Sequence, residues 1–272
     1  MESSGLHIIV PVKQVPDIEM VKFDVERGRI DRSSAPGETN PFDLNALEAA
    51  IRIKEEVGGF ITAISMCPPQ AESTLRDAIA RGADRAILLT DPRFAGADTL
   101  ATSYTLACAI RKLGHFDLII CGEKTVDGDT GQVGPELAEH LNIPHVAYVS
   151  EIREVSKERV LVVADMGDAY YLVEMKLPGL LTVTKDINVP RLPTLRDRLR
   201  AKRAVVEVWT ADDLADVADM SRFGYTGSPT TVYRISFPEE RGRMAEIFKG
   251  PSAVDELIES LVKEGVIRVV EA

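Results

Sequence analysis

The chain has 272 residues, 45% apolar and 28% charged, with a formal net charge of −11. That length holds one large α/β domain with an extension, and that charge excludes general nucleic-acid binding. Cys67, Cys108 and Cys121 are scattered and odd in number, and the four histidines lack metal-pair spacing. A disulfide framework, a protein-held iron–sulfur cluster and a structural zinc are therefore excluded, and no metal ligand is expected.

In chain order, the apolar run Leu6 to Val12 reads as a buried first strand. A small hairpin is expected around Glu26-Arg27-Gly28, between Val21-Lys22-Phe23 and Arg29-Ile30. Asn40-Pro41 opens an amphipathic helix carrying Leu44, Leu47 and Ile51, with Asn40 as its cap and Gly58-Gly59 as its stop. Strand Phe60 to Met66, helix Glu72 to Arg81, strand Arg85 to Thr90 and helix Thr99 to Leu113 follow. Strand Leu118 to Gly122, helix Gln132 to Leu141 and strand Val146 to Val149 continue the alternation. Strand and helix in turn predict parallel strands joined by right-handed crossovers, in an α/β, open, mostly parallel, doubly wound sheet.

The pattern changes near residue 150. Val160 to Val163 and Tyr170 to Glu174 read as a small antiparallel addition turning at Met166-Gly167-Asp168, and Leu180 to Thr184 as a further strand. Pro190 and Pro193 favour extended backbone. From residue 210 the chain is polar and turn-rich until a last helix over Val254 to Lys263. The expected division is 1–209 as the α/β domain and 210–272 as a C-terminal extension. No stretch is long and apolar enough to span a membrane, and the first residues lack a signal-peptide pattern, so the expected location is cytoplasmic.

In an open parallel sheet, ligands bind beyond the carboxyl ends of the strands. Pro11-Val12-Lys13, Asn40-Pro41-Phe42-Asp43, Cys67 and the segment Gly122 to Val133 all fall on that edge. The last is a glycine-bearing loop entering a helix N-terminus, where free N–H groups and the helix dipole favour phosphate. Gly128, Gly131 and Gly134 permit close backbone approach, and Thr130 and Gln132 can donate hydrogen bonds. The loop is neither a Walker loop nor a Gly-x-Gly-x-x-Gly fingerprint. It reads either as a nucleotide site or as a plain strand-to-helix turn capped by Asp127 and Asp129. Lys124 fits phosphate neutralisation or simple solvation equally, Asp43 reads first as a helix cap and second as a sugar ligand, and Cys67 reads as a small apolar residue. Tyr170-Tyr171 reads as sheet surface. No residue reads as a catalytic acid, base or nucleophile.

A second cluster, Arg191, Arg196, Arg198, Arg200, Lys202 and Arg203 against the single acid Asp197, surrounds Leu195. It suits a docking site for an acidic partner or a solvated helix face.

Val12-Lys13, Asn40-Pro41-Phe42, Gly82-Ala83-Asp84-Arg85, the 127–132 loop and Lys176-Leu177-Pro178-Gly179-Leu180-Leu181-Thr182-Val183 resemble the electron-transfer flavoprotein beta family over roughly residues 6 to 205. The resemblance implies a heterodimer with an alpha subunit that holds FAD, and an adenine nucleotide in this chain. In common members that nucleotide is AMP, held by residues matching Pro11, Asn40 to Asp43, Cys67 and 125–133. Their loop reads Asp-Asp-x-x-Asn-Gln-Thr-Gly-Gln. The shorter Asp127-Gly128-Asp129-Thr130-Gly131-Gln132-Val133-Gly134-Pro135 looks like the electron-bifurcating branch, which implies FAD in place of AMP and NADH as electron donor. That branch implies ferredoxin or flavodoxin as one acceptor, and a dehydrogenase or quinone-linked oxidoreductase, soluble or membrane-bound, as a further partner. The resemblance also makes Pro190 to Lys202 a partner-docking loop, with Leu195 as anchor beside Arg191 and Arg196, and makes the tail an arm on the alpha subunit. The alternatives are an electron carrier with AMP in this subunit and a non-redox adenine-nucleotide sensor.

Overall fold

The computed structural model describes residues 5–17, 20, 22–24, 29–31, 37–232 and 245–268. Strand β1 (Leu6–Pro11) opens the chain. Four short strands follow: β2 (Gln14–Pro16), β3 (Lys22–Asp24), β4 (Arg29–Asp31) and β5 (Gly37–Thr39). β2 pairs with β5 and β3 with β4, both antiparallel. The second pair is the expected hairpin, and its tip at Glu26-Arg27-Gly28 lies outside the described residues.

Helix α1 (Pro41–Val57) leads to β6 (Gly59–Met66), α2 (Glu72–Arg81), β7 (Arg85–Leu89) and α3 (Thr99–Leu113). Then come β8 (Leu118–Gly122), α4 (Val133–Leu141), β9 (His145–Val155), β10 (Arg159–Asp165), β11 (Tyr170–Lys176) and β12 (Gly179–Val183). Helix α5 (Leu195–Arg203), β13 (Glu207–Trp209) and α6 (Ala253–Lys263) complete the described elements. Among them α2, α3 and β8 coincide with the sequence expectation.

The main sheet runs β11-β10-β9-β12-β8-β1-β6-β7-β13. From β9 to β13 every pairing is parallel, and β9-β10-β11 is the antiparallel addition. The chain winds from β1 outward through β6 and β7, then returns to the other side of β1 with β8. The strand order thus reverses between β1 and β8, and the crevice above their carboxyl ends is the topological switch point.

Strand side chains alternate between two cores because successive Cβ atoms point to opposite faces. Ile8, Val10, Leu118 and Ile120 pack with Leu47 and Ile51 of α1 and Leu75 of α2. Ile9, Ile64, Ile87 and Ile119 pack with Leu106 and Ile110 of α3 and Leu137 of α4. With both faces covered, the strands need apolar residues at every position, which is why they read as unbroken runs.

Three parts depart from the expected elements. β9 extends well past Val149, because its outer half alternates half-buried and exposed residues while pairing with β10 rather than with β12. The basic segment is helical from Leu195, since Thr194 and Asp197 form a reciprocal capping box that starts α5 right after the extended prolines. Beyond residue 209 the chain does not leave the sheet at once. β13 pairs with β7, and Ala211, Leu214 and Phe223 are buried against Phe94 and Tyr104, with the Phe94 and Phe223 rings edge-on at 5.1 Å.

The first compact unit spans Met1–Arg234 and the second Ile235–Ala272. Within the second, α6 exposes Val254, Leu257, Ile258 and Val262. Among the described residues no helix is long and apolar enough to cross a membrane.

Candidate functional site

The switch-point crevice is assembled around Asn40. Its backbone N–H donates to Lys13 O at 2.9 Å, which ties the segment after β1 to the start of α1. Asn40 is fully buried, yet its side chain does not cap α1 as expected. It reaches across to the loop after β8, where Nδ2 donates to Lys124 O at 2.9 Å and Oδ1 accepts from Val126 N–H at 3.2 Å. Pro41 occupies the first turn of α1, where its missing N–H costs nothing.

Asp43 is the second tie. Its carboxylate accepts the Lys13 N–H at 2.8 Å and a further backbone hydrogen bond from Gly122. Full burial pushes its pKa from the ordinary 3.8 up to about 7, against the lowering pull of Asn40, Lys13 and Gly122. Gly122 must be glycine: a Cβ there would stand 2.6 Å from Asp43 Oδ1 and 2.7 Å from Phe42 Cβ. Asp43 is thus a buried strut between β1 and β8.

The loop itself is held at two further points. Lys13 Nζ contacts both Asp127 carboxylate oxygens, at 2.7 and 2.9 Å, and Lys124 Nζ lies 2.8 Å from Asp129. The hydrogen bond to Asp129 is the main reason the Lys124 pKa rises, with smaller contributions from Glu123 and Tyr148. The turn needs left-handed backbone at Asp129 (φ 52°) and Gly131 (φ 64°). Gly128, Asp129, Thr130 and Gln132 are exposed, while Thr125, Asp127, Gly131 and Val133 are half-buried. Neither Asp127 nor Asp129 caps α4, whose N-terminus has no side-chain cap at all. Its first N–H groups face the loop with the positive end of the helix dipole, which fits a phosphate.

Gly134 has another purpose than ligand approach. It is buried, and a Cβ on it would meet Thr182 Cγ2 at 2.5 Å, so it lets α4 lie against β12. Gln132 also turns aside, since its Oε1 accepts from Thr99 Oγ1 at 3.1 Å.

The structure therefore brings Pro11, Val12, Lys13, Asn40 to Asp43, Gly122 and the 124–133 loop to one crevice. Val12 lines it with backbone, its side chain being in the core. Cys67 sits on the same edge at the end of β6, its thiol pushed up by burial. The basic cluster lies elsewhere. Arg191 binds Glu48 at 2.8 Å and Glu55 at 2.6 Å, fastening the 188–194 segment to α1. Leu195 and Arg196 remain exposed on α5, which packs on α2.

One residue of the crevice was not anticipated. Tyr148 adopts φ 56° within β9, and its hydroxyl lies 3.9 Å from where a Cβ of Gly131 would stand. A bulky residue in left-handed backbone gives no sequence signal, because its type argues against that conformation.

The fold and this crevice define a doubly wound α/β protein with an anion-favouring loop at its switch point. The profile of the electron transfer flavoprotein domain matches residues 28–214. An electron transfer flavoprotein subunit beta of Thermoanaerobacterium thermosaccharolyticum is 46% identical over 265 residues, covering 96% of this chain and 100% of that one. Protein FixA of Azorhizobium caulinodans is 41% identical, covering 95% and 94%. The caffeyl-CoA reductase-Etf complex subunit CarD of Acetobacterium woodii is 40% identical, covering 95% and 97%. The chain belongs to the electron-transfer flavoprotein family, among its beta subunits, and its role is electron transfer.

Proposed function

We propose that this chain pairs with an electron-transfer flavoprotein alpha subunit, holds FAD in the switch-point crevice, and forms an electron-bifurcating flavoprotein of the cytoplasm. The observation that carries the reading is the loop of residues 123–133. It is pinned by Asn40, turned by Asp129 and Gly131, and delivered to an uncapped helix N-terminus. Bound there, a flavin would supply hydride acceptance from NADH and one-electron delivery to two acceptors, while this chain's residues would hold and orient it. One acceptor is a ferredoxin or flavodoxin of low potential. The other, reached through the FAD of the alpha subunit, is a dehydrogenase or a quinone-linked, membrane-bound oxidoreductase. A relative whose name places it in a reductase–Etf complex supports a reductase as that second partner.

The protein's own part is binding and orientation. The α4 N-terminus and the loop N–H groups receive phosphate, with Lys124 as the nearby cation. Phe42, its ring 5.9 Å from Lys124 Nζ, offers an apolar wall. Asn40 and Asp43 keep these parts in register.

The test is cofactor extraction from the chain co-expressed with its alpha partner. Two FAD and no AMP per heterodimer are expected, with rapid reduction by NADH. One FAD with one AMP would instead make the pair a carrier between a dehydrogenase and its acceptor.

A further inference from the structure

Tyr148 stands at a β-bulge. Along β12 the paired positions step from Leu181 to Val183, while along β9 they step from Val146 to Val149, so β9 carries one extra residue. Bulges of this kind re-aim a side chain, and the left-handed position in them is normally glycine. Here a tyrosine takes it. Its N–H donates to Thr182 Oγ1 at 3.1 Å, which replaces the ladder bond that the bulge breaks. The side chain is 44% exposed, so burial of the ring does not offset the unfavourable backbone. Close by, beyond the end of β12, the buried Thr184 hydroxyl has no hydrogen-bond partner among the described residues. The carboxyl edge over β8, β12 and β9 thus holds both a strained residue and an unsatisfied one, which is where a fold keeps unfavourable geometry for a ligand.

The surroundings of the phenol specify the ligand group. Its hydroxyl lies 3.9 Å from where a Cβ of Gly131 would stand, on the loop that also carries the Lys124 ammonium, itself paired with Asp129 at 2.8 Å. That loop enters the uncapped N-terminus of α4, and a hydroxyl donor, an ammonium and a helix N-terminus each favour an anion.

We infer that Tyr148 is a phosphate-binding residue of this crevice, its strained backbone aiming the hydroxyl at a phosphate of the bound nucleotide beside Gly131 and Lys124. The inference rests on the crevice being a nucleotide site and adds a residue that the motifs do not mark.

The experiment titrates the heterodimer, freed of the nucleotide of this subunit, with AMP, FAD and adenosine. Tyr148→Phe keeps the ring and the bulge and removes only the hydroxyl. It should weaken AMP and FAD roughly tenfold or more, the usual effect of losing a hydrogen bond to a charged group, and leave adenosine unchanged. Tyr148→Asn, a residue that tolerates left-handed backbone, should match or exceed the wild-type melting temperature without ligand while losing the same phosphate affinity. Equal weakening of adenosine, or unchanged AMP and FAD affinity in Tyr148→Phe, overturns the phosphate role. Wild-type protein that binds neither AMP nor FAD overturns the nucleotide reading itself. Wild-type binding with indifferent variants overturns only the assignment of Tyr148.

Discussion

At the scale of single residues, two buried polar side chains set the crevice. Asn40 satisfies a carbonyl and an N–H of the loop at once, and its removal leaves Lys124 O and Val126 N–H without partners. Asn40→Ala should destabilise the fold by about 2–3 kcal/mol, the cost of orphaned buried groups, and lower the bound nucleotide; denaturant unfolding and cofactor extraction measure the two effects. Asp43 makes a prediction about pH. Its folded pKa of about 7 lies above the ordinary 3.8, so between those values the folded state holds a proton that the unfolded state has lost. Stability from this group is present at low pH and is lost as pH rises from about 4 to 7, by about 4 kcal/mol at most. Other carboxylates titrate identically in Asp43→Asn, so the difference between the two proteins isolates the effect. Wild type should gain on Asp43→Asn as pH is lowered from 8 to 5, and a difference flat in pH would mean that Asp43 stays ionised in the fold.

At the scale of elements, helix placement on the sheet decides the crevice's depth. α4 lies close to β12 because Gly134 has no side chain opposite Thr182. Gly134→Ala gains up to about 1 kcal/mol of helix propensity but meets a methyl at an impossible distance, and overpacking costs about 1–3 kcal/mol. The variant should therefore melt below wild type. Adding Thr182→Ser removes the opposing methyl while keeping the oxygen that accepts the Tyr148 N–H, so the double variant should recover the loss. The same scale shows what the amino-acid pattern could reveal. The central strands and α1 to α4 were legible because apolar periodicity, glycine stops and prolines all agree along them. The loop after β8 reads as either a nucleotide site or a plain turn, because glycines follow a buried strand there. The reach of Asn40 across 84 residues, the packing role of Gly134 and the bulge at Tyr148 were not legible. Each depends on a neighbour remote in sequence, and local rules assigned Asn40 and Gly134 to the nearest plausible task. α5 reads only as a docking segment or a solvated helix face for a related reason: nine residues rich in arginine carry little apolar periodicity, and only the Thr194–Asp197 box marks its start.

At the scale of the whole molecule, a cluster of basic charge is gathered on one helix. The protein is acidic overall, yet α5 gathers Arg196, Arg198, Arg200, Lys202 and Arg203, beside exposed Leu195 and Leu199. Arg191 is already neutralised by Glu48 and Glu55, so it anchors the segment, and Arg200 faces Asp197 at 3.6 Å, while Arg196 and Arg198 are exposed on the helix. An apolar anchor ringed by cations gives affinity through the leucine and encounter rate through the charges. These contributions respond differently to salt, since screening acts on exposed charges over about 8–10 Å and leaves apolar contact nearly intact. Leu195→Ala should slow electron transfer to the partner at every ionic strength by a similar factor, with FAD content unchanged. Arg196→Gln should slow it at low salt and approach wild type as salt rises. Stopped-flow transfer rates across an ionic-strength series separate the two. If Leu195→Ala has no effect on the rate, the partner docks elsewhere on the molecule; if its effect disappears with salt, Leu195 acts by placing the charges and not as an anchor.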